Sequence, residues 1–138
     1  MEYQPAEDMD PEKFLILIVD DEETMRRSMA DLLKLEGYQT ITAKDGLDAI
    51  EKITSRSKTY PQEPFDLILL DLKMPGINGM EVLRKVKKER PHVEVIILTG
   101  HGSEQDKELA LEFGAFAYLE KPVDIEVLSK TKEELINK

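Results

Sequence analysis

The sequence contains no cysteine. That single absence excludes a disulfide framework, a thiolate metal site and a thiol nucleophile. Long apolar runs are also missing: the longest, FLILIV at residues 14–19, is far short of the roughly 20 residues that a membrane helix requires. The N-terminal stretch lacks a basic segment followed by an apolar one, so no secretory signal is predicted. The expectation is a cytoplasmic chain that does not engage a membrane. Only two histidines occur, His92 and His101, too few for a histidine-rich metal centre. Basic side chains are outnumbered, 19 Lys and Arg against 29 Asp and Glu, giving a net charge of -10. Nucleic-acid backbones are bound by clustered Lys and Arg, so direct nucleic-acid binding by this chain is not expected.

What is present suits one folded domain. Of the 138 residues, 41% are hydrophobic and 35% charged, a globular balance rather than that of a disordered chain. A chain of this length can remove roughly 68–70% of its unfolded surface from water, enough for a single core. Residues 1–13 are polar, acidic and twice interrupted by proline, and read as an N-terminal tail or linker; residues 14–138 read as the domain.

Within that domain, short apolar runs alternate with amphipathic stretches. Residues 14–19, 38–43, 65–70, 93–98 and 117–119 read as strands. The first, third and fourth are apolar at consecutive positions, as parallel strands covered on both faces would be. Between them, Met25, Met29, Leu32 and Leu33, then Leu47, Ile50 and Ile53, then Val82, Leu83 and Val86 recur at helical spacing. Leu109 with Phe113 belongs to a fourth helix, and Ile125, Leu128 and Leu135 to a closing one starting near Asp124. Asn78 with Glu81 and Ser103 with Asp106 resemble helix-start pairs, while Gly37 and Gly114 stand where helices should stop. Residues 54–64 (TSRSKTYPQEP) read as a loop longer than the ~4–6 residues usual between elements. Five βα units with right-handed crossovers give an α/β fold: an open, doubly wound parallel sheet with helices on both faces.

In such sheets ligands bind beyond the carboxyl ends of the strands. The first run ends in Asp20-Asp21, the third in Asp71, the fourth in Thr99-Gly100 and the fifth in Leu119-Glu120-Lys121-Pro122. Three carboxylates meeting at one edge repel, since like charges ~4 Å apart cost about 4 kcal/mol at an effective dielectric of 20. A hard divalent cation such as Mg2+ relieves that repulsion through oxygen ligands and commonly joins carboxylates to a phosphate. Lys121 offers a second positive group and Thr99 a hydroxyl donor, so the edge suits phosphoryl oxygens too. The combination points to a carboxylate nucleophile, with Asp71, at the end of a central strand, as the best candidate. Taken singly the residues have plainer readings: Asp21 as a cap of the first helix, Thr99 as the end of a strand, Lys121 as a surface charge, Tyr118 as a packed strand residue.

Four segments, in order, resemble the response-regulator receiver domains of two-component signalling: IVDDE at 18–22, LLDLKMPGINGMEVL at 69–83, ILTGHG at 97–102 and YLEKPVD at 118–124. The resemblance implies a flavodoxin-like (βα)5 domain with strand order 2-1-3-4-5. It implies Asp71 as phosphoacceptor, with Mg2+ or Mn2+ held by Asp20, Asp21, Asp71 and the backbone carbonyl of Lys73. Asp20 would act mainly through metal-bound water, and Thr99 and Lys121 would contact the phosphoryl oxygens. A cis bond before Pro122, a switch made of Thr99 and Tyr118, and tuning of dephosphorylation by Lys73 and His101 also follow. Implied partners are a sensor histidine kinase or histidine phosphotransfer protein and an output domain or protein, with a phosphorylation-dependent homodimer through helix four, strand five and helix five. Such a domain is a signalling switch rather than an enzyme of general turnover. Two alternatives are a haloacid-dehalogenase-type phosphohydrolase, which places its nucleophile in a DxD pattern after the first strand, and a docking pseudo-receiver that is never phosphorylated.

Overall fold

The structure, a computed structural model, describes residues 14–59, 65–100, 102–122 and 125–136. Strands and helices alternate: β1 (Leu15–Val19), α1 (Glu23–Leu35), β2 (Gln39–Ala43), α2 (Gly46–Thr59), β3 (Leu67–Leu70), α3 (Gly79–Glu89), β4 (Glu94–Thr99), α4 (Glu104–Glu112), β5 (Ala117–Glu120) and α5 (Ile125–Ile136). All pairings are parallel, in the order β2-β1-β3-β4-β5. The fold is the doubly wound one expected from the alternation.

Apolar residues at consecutive strand positions serve two cores, because successive side chains point to opposite faces. Leu17, Val19, Ile68, Leu70, Val95 and Ile97 pack under α2, α3 and α4. Their neighbours Ile16, Ile18, Leu67, Leu69, Ile96 and Leu98 pack under α1 and α5, where Met29, Leu33, Leu128 and Leu135 close the layer. Each such side chain stabilises the fold by roughly 1.5–3 kcal/mol when fully buried, so the three central strands are the most firmly anchored part of the molecule.

Helix faces differ in detail from the sequence reading. Leu32, Leu47 and Leu109 are exposed, and Ala30, Ala49 and Ala110 are buried in their place. An alanine at the line of closest approach lets the helix backbone sit near the sheet, and the leucine one or two positions away then falls on the flank. The loop read from Thr54 is also corrected: α2 runs on to Thr59. No glycine or proline precedes Pro61 in that stretch, so nothing stops the helix. Residues 60–64, like the tail at 1–13, lie outside the described residues.

The expected helix ends are present. Asn78 Oδ1 accepts from the Glu81 amide at 3.1 Å. Ser103 and Asp106 form a reciprocal box: Ser103 Oγ accepts from the Asp106 amide at 3.0 Å and Asp106 Oδ2 from the Ser103 amide at 3.1 Å. Gly37 and Gly114, with φ of 98 and 106, take the left-handed conformation that ends α1 and α4 without a Cβ penalty. The residue capping α1 is Glu22, without a side-chain cap bond, so Asp21 is not used as the cap.

Candidate functional site

Backbone pairing continues one residue past the strands and fixes the roots of the site. The Asp20 amide donates to Ala43 O at 3.2 Å, the Asp71 amide to Val19 O at 3.0 Å and the Lys121 amide to Thr99 O at 2.9 Å. Side chains leaving the sheet edge from these positions converge. Asp20, Asp21 and Asp71 each offer one carboxylate oxygen, and the three lie within 4.8 Å of one another. Lys121 Nζ stands 2.6 Å from Asp20 Oδ2 and 3.3 Å from Asp71 Oδ2.

Asp20 is 6% exposed and Asp71 7%, so both need internal partners. Asp20 Oδ1 accepts from the Glu22 amide at 2.9 Å, and Asp71 Oδ1 from the Lys73 amide at 3.2 Å. Each buried carboxylate thus spends one oxygen on a backbone amide and the other on the ammonium. Asp21, in contrast, is exposed. Burial holds the Asp71 carboxyl above its usual range, and the charge of Asp20 adds to this; Lys121 and the Lys73 amide oppose it without cancelling it. For Lys121, burial pulls the other way, but the hydrogen bond to Asp20 and the fields of Asp71 and Asp20 outweigh it, so its pKa rises and the ammonium persists.

One ammonium against three carboxylates leaves surplus negative charge. The donor set is all oxygen, and the three oxygens lie close enough together to share one hard cation, so the residues fit Mg2+. Asp20, which Lys121 holds more closely than it holds Asp71, 2.6 Å against 3.3 Å, is suited to reach such an ion through water.

Thr99 is fully buried at the end of β4. Tyr118 is also buried, and its Oη has no hydrogen-bond partner among the described residues. A Cβ on Gly102 would lie 1.4 Å from Tyr118 Oη and 2.8 Å from Thr99 Cγ2. The ring therefore occupies its place only because residue 102 has no side chain. Gly102→Ala is expected to displace the ring and lower stability by about 1–3 kcal/mol in denaturant unfolding. The same loss in a Tyr118→Leu background would show that this contact is not the cause.

Of the residues singled out from sequence, Asp20, Asp21, Asp71 and Lys121 come together, Thr99 ends the neighbouring β4 and accepts from the Lys121 amide through its carbonyl, Tyr118 and Thr99 both lie against Gly102, and the Lys121-Pro122 bond is cis. His101 lies outside the described residues. The Lys73 ammonium faces Asp106 Oδ2 at 3.5 Å. Sequence reasoning missed Arg26, whose Nη1 donates to the Asp20 carbonyl at 2.8 Å and braces that turn from α1. It also missed Gly102 and the partnership of Asp106, which exist only once separate segments meet.

The model of the response regulator receiver domain matches residues 16–133. This chain belongs to that family. The receiver fold recurs in a response regulator receiver domain protein from Clostridium thermocellum, 37% identical with a TM-score of 0.79, covering 90% of this chain and 94% of that one. A CheY-like receiver domain protein from Methanospirillum hungatei JF-1 is 36% identical with a TM-score of 0.78, covering 88% and 93%. NtrX from Brucella abortus is 31% identical with a TM-score of 0.77; the match covers 89% of this chain but 27% of that longer one. The chain is therefore a signalling domain of the two-component type; its acids follow β1 at Asp20-Asp21 and β3 at Asp71, and no DxD pattern follows β1. No helix among the described residues is long and apolar enough to cross a membrane.

Proposed function

We propose that the domain is a phosphoacceptor switch in which Asp71 takes a phosphoryl group from a histidine kinase or a histidine phosphotransfer protein. The observation that carries this reading is the position of Asp71: a buried carboxylate at the end of the central β3, 3.3 Å from an ammonium and within 4.8 Å of two further carboxylates. An oxygen of Asp71 attacks phosphorus, the P–N bond of the donor phosphohistidine breaks, and its electron pair returns to the imidazole, which takes up a proton. The product is an acyl phosphate on Asp71. Lys121 and the Thr99 hydroxyl supply positive and donor contacts for the new oxygens. Asp20, Asp21, Asp71 and the Lys73 carbonyl would hold Mg2+ or Mn2+, which neutralises charge that accumulates during transfer.

Output follows from the same place. The Thr99 hydroxyl moves toward the phosphoryl group, Tyr118 packs behind it, and the surface of α4, β5 and α5 is biased toward a second state. That surface engages an output domain, a protein partner or a second copy. Lys73 and His101 set how readily water reaches the acyl phosphate. The cytoplasm is the compartment in which such kinases act on it.

The test is labelling by acetyl phosphate, with intact-mass detection, in Mg2+ and in excess chelator. One phosphoryl group per chain is expected in Mg2+. Removing the metal should lower the labelling rate at least about tenfold, because metal neutralisation of developing charge is worth several kcal/mol. Equal rates with and without metal would remove the ion from the reaction. Absence of label from both acetyl phosphate and a phosphorylated histidine phosphotransfer protein would overturn the phosphoacceptor reading itself.

A further inference from the structure

Lys73 and Asp106 belong to different parts of the site's rim. Lys73 lies two residues past Asp71 in the loop between β3 and α3; Asp106 is the third residue of α4, the helix that follows Thr99. Their Nζ and Oδ2 are 3.5 Å apart, so the pair joins the loop of the phosphoacceptor to the helix of the Thr99 hydroxyl. A groove of about 560 Å³ lies against it, lined by Leu72, Met74, Met80 and Leu109 as well.

The two ends of this link are not equally free. Asp106 is held by the capping box, the oxygen that meets Lys73 also accepting from the Ser103 amide. The root of Lys73 is fixed too, through its amide on Asp71 Oδ1 at 3.2 Å. Between those anchors, only the four-carbon stem of Lys73 can choose its direction, and the fixed carboxylate is what directs it. We propose that Asp106 is a positioning residue for Lys73, drawing its side chain into a strap beside Asp71 that limits the access of water to the acyl phosphate.

This inference rests on the phosphoacceptor reading. In the reaction it restrains, a water oxygen attacks phosphorus, the Asp71 Oδ–P bond breaks with its electron pair returning to the carboxylate, and inorganic phosphate leaves. The water proton passes to the phosphate or to solvent. Lys73 is 53% exposed and Asp106 29%, so solvent screens the pair and the strap opens often. The expected effect is accordingly modest, roughly two- to fivefold in lifetime.

The experiment labels the parent, Asp106→Asn, Lys73→Met and the double variant with acetyl phosphate in Mg2+, removes the donor and follows loss of the phosphoryl group. Asparagine retains an oxygen for the Ser103 amide, so the cap survives while the charge that attracts Lys73 is gone. Each single variant is expected to shed its label roughly two- to fivefold faster than the parent, and the double variant no faster than Lys73→Met. Lys73→Arg, which keeps the cation, should stay within about twofold of the parent. A parental lifetime for Asp106→Asn would overturn the inference. So would an undiminished effect of Asp106→Asn in the Lys73→Met background, since that would place its action in α4 alone. A parent that cannot be labelled fails the phosphoacceptor reading and this inference with it; a labelled parent without coupling fails only the strap.

Discussion

An Asp71→Asn variant should lose at least about 100-fold in the rate of labelling by acetyl phosphate in Mg2+. The substitution preserves shape and leaves an oxygen to accept from the Lys73 amide, as Asp71 Oδ1 does at 3.2 Å. What it removes is the anionic nucleophile. The neighbouring carboxylates are placed differently: Lys121 holds Asp20 more closely than Asp71, at 2.6 Å against 3.3 Å, and Asp21 is exposed rather than seated at the end of a central strand. Labelling of the variant at a rate near the parent's would show that the phosphoryl group goes elsewhere.

The same variant should unfold no more easily than the parent when no divalent metal is present. Burial, reinforced by Asp20, raises the Asp71 pKa above its ordinary value of 3.8. A carboxyl raised in the folded state favours folding when protonated, below its unfolded pKa, and that contribution is lost as pH rises through the folded value. At neutral pH the ionised side chain therefore opposes folding, and a neutral amide relieves the opposition. Lys121 retains Asp20 at 2.6 Å, so the ammonium is not stranded. Thermal unfolding in chelator should give a midpoint for Asp71→Asn at or above the parent's, and Mg2+ should raise the parent's midpoint more than the variant's. A large drop in chelator would mean that the Asp71–Lys121 pair stabilises the fold more than burial opposes it.

The central strands were legible because LILIV and LILL are buried on both faces, a pattern that no half-exposed element shares. The site was legible for a related reason: Asp20, Asp71, Thr99 and Lys121 each stand at or just past a strand end, and parallel pairing brings those ends together. Helix faces were less so. Spacing selects a stripe but does not tell whether Leu47 or Ala49 meets the sheet, since that depends on how closely the helix approaches. Arg26, Gly102 and Asp106 carry no local signature. Each matters through a neighbour brought by the fold, the Asp20 carbonyl, the Tyr118 ring and the Lys73 ammonium respectively, and the distances that define these contacts appear only in three dimensions.

Gly79→Ala should be the most disruptive conservative substitution near the site. Gly79 opens α3 and is buried, with its amide donating to Leu72 O at 3.0 Å. An added Cβ would lie 2.3 Å from Asp71 O, 2.6 Å from Leu72 Cα and 3.0 Å from Asp71 C. All three are backbone atoms, which cannot turn aside as the end of a side chain can. Making room means moving α3 from the Asp71 peptide, so stability and labelling should fall together: about 3 kcal/mol in denaturant unfolding, the upper part of the range for overpacking, and at least about tenfold in labelling rate. Gly76 is the contrasting case. It has a φ of +79 but nothing within 4 Å of its Cβ position, so Gly76→Ala should cost only the backbone penalty of about 1–2 kcal/mol and leave labelling within about twofold of the parent. If Gly79→Ala instead unfolds within about 1 kcal/mol of the parent and labels at the parental rate, then α3 does not press against the Asp71 peptide.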